Sequence, residues 1–344
     1  MDESTPESEG LIVVALGLSW GVRTQGQLLA IALILVACKR ELMHTATRVT
    51  VVDPALSIRI VSKRELRYDD PPQVERPDHV RAASGIVALP GRLIIAQDDS
   101  QFLGVVSDDV TSLTLPDVAG RRRFEAALGN RLAKIDLESI VQIDEELWAF
   151  GSGSLPIREQ ICRIVRDVPT LGPSGLYAAI RDALGSVPNI EGAARVRDEL
   201  WLFHRGNTGP KDPGPAVLRF KIAAVKASLD GGPAPSVLKV DVYTLGEIGG
   251  HPLGFTDAAA VDGRVFYLAA AEASANAIDD GGVLGSQLGV IDARGVRAAP
   301  FLVDGKAVKA EGIAFEDDRA WVVVDPDDPD QPSTLLEIDL VGPW

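Results

Sequence analysis

The sequence predicts an all-β protein built from repeated four-stranded antiparallel units. Five segments share one pattern: an apolar run, a turn carrying glycine or charges, and a second run of β-branched and aromatic residues. They start at Ala83, Leu137, Ile190, Thr256 and Ala310. Two such runs around a turn are typical of a β-hairpin, and their recurrence at a regular spacing indicates a repeat architecture.

Further strands follow the hairpins. Third apolar runs begin at Phe102, Gln160, Ala216, Gln287 and Thr334, and fourth runs are VTSLTLP, SVLKVDVYTL and GVRAAPFLV. A four-stranded antiparallel sheet in about 40 to 55 residues has the size of a propeller blade, and blades close into a ring because no single blade can bury both of its faces. We therefore predict a five-bladed β-propeller with four-stranded antiparallel blades.

The last repeat ends after its third strand. The N-terminal segment SIRIVSKREL, which ends at Leu66, is predicted to supply the fourth strand and to close the ring without an open edge. A six-bladed ring is the alternative, but it needs a whole blade from residues 40–82, which include the polar, proline-bearing stretch DDPPQVERPDH. Between the second and third repeats, Ser174 to Gly185 predict a short helix with a serine N-cap and a C-terminal glycine.

The N-terminal region, residues 1–38, has the features of a signal or anchor. Arg23 precedes an apolar run from Leu28 to Ala37, which is too short to span a bilayer but fits a signal h-region. The tetrad LVAC, ending at Cys38, resembles the bacterial lipobox, and that resemblance implies cleavage before Cys38 and acylation of its thiol. An uncleaved anchor and a buried segment of the fold are the alternatives, because MDESTPESEG is acidic where a signal is basic.

Residues 39–56 are predicted as a linker and residues 57–344 as a single propeller domain.

Aligned repeats place polar residues in two columns. The first column, at the start of each hairpin, contains Ser84, Glu138, Glu191, Asp257 and Glu311. The second column, at its end, contains Asp98, Ser152, Arg205, Glu272 and Asp325, with Asn207 close by. Because the first strand of a blade lines the central channel, we expect both columns to gather at one mouth of that channel and to form a ligand-binding site.

Charge and cysteine content exclude several classes of partner and fold. With 34 basic and 49 acidic residues the net charge is -15, which repels a nucleic-acid backbone. The two cysteines, Cys38 and Cys162, indicate neither a disulfide framework nor a zinc site. We expect a monomer that contacts a small-molecule or protein ligand, and a membrane through its lipid.

Four carboxylates converging on one channel mouth require compensation, because like charges raise one another's pKa. Ca²⁺ or another divalent cation is one candidate, since it prefers oxygen ligands, and its predicted ligands are Glu138, Glu191, Asp257 and Glu311. Internal counter-ions are a second candidate, namely Lys134, Arg205 and Lys309. A water-filled channel that binds nothing in particular is the third.

The phrases ASGIV, NIEGAA, GFTDAAAV and KAEGIA resemble an uncharacterised family of bacterial β-propeller proteins. More distantly, the sequence is similar to esterase-like phytase and gluconolactonase propellers, and this resemblance implies acids at the channel mouth that hold Ca²⁺ or another divalent ion for hydrolysis. The predicted function is therefore an envelope-anchored lipoprotein, periplasmic or on the outer face of the bacterial cell, that binds a ligand or divalent cation. The alternative is a Ca²⁺-dependent hydrolase of lactones or phosphoesters, so whether the protein is an enzyme stays open.

Overall fold

Strands make up most of the regular structure in the computed structural model, which describes residues 44–273 and 281–344. In chain order the strands are β1 (His44–Val52), β2 (Ser57–Glu65), β3 (Ala83–Leu89), β4 (Arg92–Gln97), β5 (Phe102–Val106), β6 (Val110–Thr114), β7 (Leu137–Ile143), β8 (Glu146–Gly151), β9 (Gln160–Val165), β10 (Val168–Pro173), β11 (Ile190–Val196), β12 (Glu199–His204), β13 (Ala216–Lys221), β14 (Lys239–Thr244), β15 (Glu247–Ile248), β16 (His251–Pro252), β17 (Gly254–Val261), β18 (Arg264–Glu272), β19 (Val283–Asp292), β20 (Gly295–Val303), β21 (Lys306–Ala307), β22 (Lys309–Glu316), β23 (Arg319–Asp325) and β24 (Thr334–Val341). Helices of the described residues are α1 (Leu176–Leu184) and α2 (Ile222–Leu229), with 3-10 turns at Ala126–Leu128, Arg131–Ala133 and Pro156–Arg158.

The predicted signal or anchor region, residues 1–38 with its lipidation site Cys38, lies outside the described residues. Within the described residues, no helix combines the length and the apolar character that crossing a membrane requires.

Five groups of four strands pair in antiparallel order, and we name them units 1 to 5. Unit 1 contains β3–β6, unit 2 β7–β10, unit 3 β11–β14, unit 4 β17–β20, and unit 5 β22–β24 with β2. The predicted hairpins are the first two strands of each unit, and the predicted third strands are β5, β9, β13, β19 and β24. The fourth strand of unit 2, β10, was not predicted, because Pro169 and Pro173 interrupt its pattern; an edge strand tolerates proline.

The N-terminal strand β2 completes unit 5. It pairs antiparallel with β24 from Ser57 opposite Val341 to Glu65 opposite Thr334. The sequence analysis predicted this pairing, and the pairing is present. It supplies β24 with a hydrogen-bonded neighbour, so the last strand of the chain is not an open edge.

Strand β1 lies outside the five units and joins two of them. It pairs in parallel with β14 of unit 3 and with β20 of unit 4. The segment predicted as a linker, residues 39–56, therefore contains a strand over His44–Val52. Its run of threonines and valines favours extended structure, because β-branched side chains suit a pleated surface.

The first strands of the units contact one another in a closed cycle. Strand β3 contacts β7, β7 contacts β11, β11 contacts β17, β17 contacts β22, and β22 contacts β3. This approach needs small residues: a Cβ atom added to Gly85 would lie 2.8 Å from the Cα atom of Ser139, and one added to Gly192 would lie 3.0 Å from the Cα atom of Asp257. Glycine permits such close backbone contact, so Gly85 and Gly192 allow the first strands to approach one another.

Apolar side chains fill the space between neighbouring units. Units 2 and 3 enclose a cluster with Trp148 and Leu202, which also contains residues of helix α1. The other clusters lie between units 3 and 4, units 4 and 5, units 5 and 1, and units 1 and 2. The predicted helix is present as α1 and is followed by Gly185 in the left-handed conformation, but its N-cap is Gly175 and not the predicted Ser174, whose hydroxyl accepts a hydrogen bond from the backbone N–H of Leu176. Every unit therefore buries both faces against its neighbours.

In unit 4 the strand pairing corrects the sequence alignment by one residue. Each first strand contains a β-bulge near its start, and this bulge falls at Glu191 in β11 and at Thr256 in β17. Thr256 is therefore the equivalent of Glu191, whereas the alignment had matched Asp257, and Phe266 replaces Tyr267 in the aromatic register. The alignment was wrong here because Asp257 and Tyr267 imitate the acid and the aromatic residue of other repeats. Ten positions separate the two residues, as in those repeats.

Candidate functional site: a charged central cavity

A cavity of about 280 Å³ lies at the bulged ends of the first strands. Its charged lining residues are Asp98, Arg131, Lys134, Asp136, Glu138, Arg158, Glu191, Arg205, Glu272, Lys309, Glu311 and Asp325, and its polar lining includes Ser84, Asn189, Asn207 and His251. Nine of the residues in the two predicted columns and beside them line it: Ser84, Asp98, Glu138, Glu191, Arg205, Asn207, Glu272, Glu311 and Asp325. Ser152 and Asp257 are not among the lining residues.

The bulge explains why three acids of the first column line the cavity. Glu138, Glu191 and Glu311 each occupy the bulged position of their strand, and a bulge redirects a side chain out of the regular alternation. In units 1 and 4 the bulges contain Ser84 and Thr256, whose hydroxyls donate to the carbonyl oxygens of Leu137 (2.6 Å) and Ala310 (2.7 Å) of the following unit. The bulged residue therefore links neighbouring units through its hydroxyl in units 1 and 4. In units 2, 3 and 5 it is a glutamate and places a carboxylate in the cavity wall.

Asp257 is buried in the ring of first strands instead. It is 1% exposed, and its Oδ2 atom accepts a 2.9 Å hydrogen bond from the backbone N–H of Ile313 in unit 5. Burial raises the pKa of Asp257 well above its usual range, and the hydrogen bonds from Ile313, Ala258 and Ile86 only partly offset this. Asp257 therefore connects first strands across the ring, and this position follows from the one-residue shift in unit 4.

Lys134 joins unit 1 to unit 2 at the cavity wall. Its Nζ atom lies 2.7 Å from a carboxylate oxygen of Asp98 and 2.7 Å from one of Asp136. Burial alone would lower the pKa of Lys134, but the charges of Asp136, Asp98 and Glu138 outweigh burial and raise it. The ammonium group is therefore charged and occupies the space between the two carboxylates.

Asp136 also holds Arg158 and Ser152. The Nη1 atom of Arg158 and the hydroxyl of Ser152 each lie 2.6 Å from its Oδ2 atom, and Arg158 further donates to Ser154 at 2.9 Å. Burial would raise the pKa of Asp136, but Lys134 and Arg158 outweigh it and hold the pKa below its usual value. Ser152, a predicted ligand residue, thus orients an internal carboxylate rather than facing the cavity.

A second network joins units 3, 4 and 5. Arg205 lies 3.4 Å from Glu191 and 2.9 Å from Glu272, and Lys309 lies 3.4 Å from Glu272 and 2.9 Å from Glu311. Burial would raise the pKa of Glu272, but Arg205 and Lys309 outweigh it and lower the pKa. Burial raises the pKa of Glu311 to about 8, because Lys309 and Arg205 offset only part of the desolvation. The predicted internal counter-ions Lys134, Arg205 and Lys309 are all present at the site.

Two acids of the cavity wall have a positive charge nearby but no direct ion pair. The side chains of Glu138 and Asp325 make no hydrogen bond or ion pair with any residue that the structure describes, although Lys134 and Lys309 favour their charged forms from a distance. Burial raises the pKa of Glu138 well above its usual range, and Asp136, Glu191 and Asp98 add to this. Burial likewise raises the pKa of Asp325, against the opposing charge of Lys309. These two carboxyl groups are the available acidic groups of the cavity.

Asp98, Asp136 and Glu138 form a cluster with one carboxylate oxygen each within 4.8 Å of the others. That spacing and donor type suit a hard divalent cation. The Lys134 ammonium, however, already contacts two of the three acids, so an added metal ion would meet a positive charge beside it.

The repeat columns missed several residues of the site. The two aligned columns do not include Asp136, Arg158 and Asn189. These residues lie before or after the hairpins, in loops whose lengths differ between repeats. One signal was available: Asp136 stands two positions before the bulged Glu138, and Asn189 two positions before the bulged Glu191. Lys309 has the same spacing from Glu311, so this position supplies polar groups to the cavity in three units.

Four-stranded antiparallel sheets whose first strands form a closed cycle around a central cavity define a β-propeller fold. The chain belongs to a family of unknown function, DUF6929, whose model matches residues 79–340. No curated protein matches the sequence.

Several solved structures show weak similarity. A glutaminyl cyclase from Myxococcus xanthus has 11% identity and a TM-score of 0.48, with 87% of this chain and 100% of that chain covered. A glycosyl hydrolase from Bacteroides ovatus has 12% identity and a TM-score of 0.42, covering 85% and 93%. A streptogramin B lyase has 9% identity and a TM-score of 0.40, covering 81% and 97%. We base no argument about function on these similarities.

Proposed function

We propose that the protein is a five-bladed β-propeller in which units 1 to 5 are the blades. The closed cycle of β3, β7, β11, β17 and β22 supports five blades, because each first strand contacts the first strands of two neighbours. The six-bladed alternative would need a further sheet from residues 40–82, and the described part of that segment contributes only β1 and β2 to other sheets.

We propose further that the central cavity binds a small cation or a ligand with a positively charged group. The observation that carries this proposal is a pair of acids, Glu138 and Asp325, whose side chains have no direct ion pair with a described residue, in a wall whose other acids mostly contact lysine or arginine. Both side chains are partly buried, where an ionised carboxylate without a direct partner is disfavoured, and a bound cation offsets that cost. The cavity, at about 280 Å³, is slightly smaller than the usual ligand site of about 300–1,000 Å³, which suits a small ligand.

Substitution of Glu138 and Asp325 tests this proposal. We expect Glu138→Gln and Asp325→Asn each to weaken binding of CaCl₂ or methylammonium by about tenfold to a hundredfold, since a hydrogen bond to a charged group contributes about 1.5–3 kcal/mol. Isothermal titration calorimetry measures the affinity. Glu145→Gln is a matched control, because Glu145 is an exposed residue of the turn that follows β7.

The control variant should bind as the unsubstituted protein does. If neither probe binds the unsubstituted protein, or if Glu138→Gln and Glu145→Gln bind equally well, the cavity is not a cation site of the kind proposed.

A Ca²⁺-dependent hydrolase is the second candidate, and the Asp98, Asp136 and Glu138 cluster favours it. A divalent ion at that cluster would polarise a lactone or phosphoester oxygen and lower the pKa of a bound water. Among the cavity acids, Glu138 and Glu191 would be the candidates for a general base. Turnover of a lactone or phosphoester that requires Ca²⁺ and is lost in Glu191→Gln would favour the hydrolase over a protein that only binds.

We propose that the protein acts as a monomer on the periplasmic or outer face of the bacterial cell envelope, anchored by lipid on Cys38. The support is the LVAC tetrad after the apolar run. Mass spectrometry of the mature protein should find an acylated cysteine at its N-terminus. A mature chain that retains residues 1–37, or a Cys38 without acyl mass, would contradict the anchor.

A further inference from the structure

A second pocket lies between units 5 and 1, at the turn ends of their hairpins. Its volume is about 400 Å³, within the usual range of about 300–1,000 Å³ for a small-molecule site. The apolar part of its lining consists of Leu93, Val106, Trp321 and Leu335. It has no lining residue in common with the central cavity, which lies at the bulged ends of the hairpins, so it is a separate site.

The indole N–H of Trp321 in this wall is buried and has no hydrogen-bond partner among the described residues. Trp148 of unit 2 and Trp201 of unit 3 stand at the same position of the repeat, ten residues after the bulged glutamate. There the indole N–H donates to the carboxylate of the glutamate two residues earlier, at 2.9 Å to Glu146 and at 3.1 Å to Glu199. The repeat therefore identifies the acceptor that Trp321 lacks as a carboxylate.

Those two carboxylates also pair with a cation. Glu146 lies 2.6 Å from the Nε atom of Arg163, and Glu199 lies 3.8 Å from the Nζ atom of Lys221. A carboxylate at this position of the repeat is thus held by an indole N–H and a positive charge together. Hydrogen bonds that involve an ionised group are stronger than those between neutral groups.

In unit 5 the residue two positions before the tryptophan is Arg319, so a positive group stands where the repeat has its carboxylate. The Cζ atom of Arg319 lies 5.3 Å from the centre of the Trp321 ring, and its Nη2 atom donates to Glu316 at 2.9 Å. A guanidinium has five N–H donors, and the Nε and Nη1 groups of Arg319 donate to no described residue. Arg319 therefore keeps donors for a ligand beside the indole.

The other charged groups of the pocket are engaged in contacts between units 5 and 1. The charged residues of the lining are Arg64, Arg92, Asp108, Glu316 and Arg319. Arg64 donates from both Nη atoms to backbone carbonyls of the turn between β5 and β6, at 2.8 Å each. Glu316 accepts from Arg319 on one oxygen and from the backbone N–H of Gly91 on the other, at 3.2 Å. Both oxygens of this acid are therefore paired.

We propose that this pocket binds a small monocarboxylate that carries an alkyl chain. The ligand carboxylate takes the place of the repeat's glutamate and accepts from the Trp321 indole N–H and from Arg319. Because the indole nitrogen is buried, binding requires a side-chain movement, and Arg319, which is 52% exposed and lies over the ring, is free to make it. The alkyl chain contacts the apolar residues of the lining, Leu93, Val106 and Leu335.

Titration of the ¹⁵N-labelled full-length protein with sodium hexanoate tests the proposal, with the indole N–H resonances as the readout. We expect the Trp321 resonance, assigned by its loss in Trp321→Phe, to move downfield as the N–H donates to the carboxylate. The Trp148 and Trp201 resonances should stay in place, because these indoles already donate to glutamates. Hexanoate should bind at least about tenfold more tightly than n-hexanol, hexylamine or acetate, since it alone combines the charged acceptor with a buried chain.

Substitutions separate the contributions of the two side chains. Arg319→Gln and Trp321→Phe should each weaken hexanoate binding by about tenfold to a hundredfold, because each removes a hydrogen bond to the carboxylate. Arg319→Glu restores the glutamate of the repeat and should abolish binding while moving the Trp321 resonance without hexanoate. Arg195→Gln is the matched control and should bind normally, because Arg195 is also a partly exposed arginine, 42% against 52%, that pairs with an acid at 2.9 Å.

The comparison of probes on the unsubstituted protein decides the proposal even if a variant does not fold. Equal affinities for hexanoate and n-hexanol, or for hexanoate and acetate, would overturn it, because one half of the ligand would then contribute nothing. Tighter binding of hexylamine, no binding of hexanoate, or binding that leaves the Trp321 resonance in place would overturn it as well. None of these outcomes bears on the cation site proposed for the central cavity.

Discussion

Gly85→Val is expected to lower the free energy of unfolding by about 3 kcal/mol or more. A Cβ atom at this position would lie 2.8 Å from both the Cα atom of Ser139 and the backbone nitrogen of Ile140. Both atoms belong to the backbone of β7, so no side-chain rotation relieves the contact, and β3 and β7 must separate. Overpacking of a core costs about 1–3 kcal/mol, occasionally more, and here the moved element is one of five strands that contact one another in a cycle.

Gly172→Val is the matched control. Gly172 lies in β10, the outermost strand of unit 2, and no described atom lies within 4 Å of an added Cβ. Urea unfolding should therefore give nearly the same midpoint for Gly172→Val as for the unsubstituted protein and a much lower midpoint for Gly85→Val. Equal midpoints for both variants would show that the first strands can move apart at little cost.

The repeated hairpins could be predicted because each is a local pattern. Apolar alternation and turn residues fix the strands within one unit, and the pairing of β2 with β24 followed from the strand missing at the end of the chain. The register of unit 4 could not be fixed in this way. Asp257 and Tyr267 satisfy the residue-type pattern one position too late, and only the backbone pairing places the bulge at Thr256.

The helix α2 and the strand β1 escaped prediction for a different reason. Helix α2 follows β13 directly, and its residues continue an apolar run that begins within the strand, so the change of period is hidden. Strand β1 carries a β-branched pattern, but its partners β14 and β20 belong to different units and pair with it in parallel. No pattern along the chain indicates a parallel neighbour that is distant in sequence.

The acids of the site were predictable in kind but not in role. Glu138, Glu191 and Glu311 recur at one position, so they had to converge. The ion pairs of these acids depend on lysine and arginine side chains, some of which come from loops of unequal length. The sequence alignment cannot place the residues of those loops. Asp257 is also a carboxylic acid, but the one-residue shift of register in unit 4 places it between the first strands. There it is buried and accepts a hydrogen bond from the backbone of Ile313, so it is not one of the cavity ligands that were predicted.

Lys134→Met is expected to lower the free energy of unfolding at neutral pH by about 3–5 kcal/mol, the cost of removing one partner from a buried ion pair. The methylene chain is retained, but Asp98 and Asp136 lose the ammonium group that lies 2.7 Å from each. Asp136 keeps only Arg158 as a counter-ion, and Glu138 loses the charge that partly offsets its acidic neighbours. Thermal or urea unfolding measures the loss.

The pH dependence identifies the loss as electrostatic. In the unsubstituted protein the pKa of Asp136 lies below the usual value of an aspartate, about 3.8, so its ion pairs stabilise the fold above about pH 4, and this contribution declines as the pH falls through the folded pKa. The two unfolding curves should therefore converge as the pH is lowered below about 4, because a protonated Asp136 needs no counter-ion.

Lys221→Met is the control for the effect of burial. Lys221 also lies 2.7 Å from an acid, Asp198, but both side chains are about half exposed or more. Such an exposed pair contributes about 0–1 kcal/mol to stability. A loss in Lys134→Met no larger than in Lys221→Met, or one that is the same at every pH, would mean that the buried network at the cavity wall does not depend on the charge of Lys134.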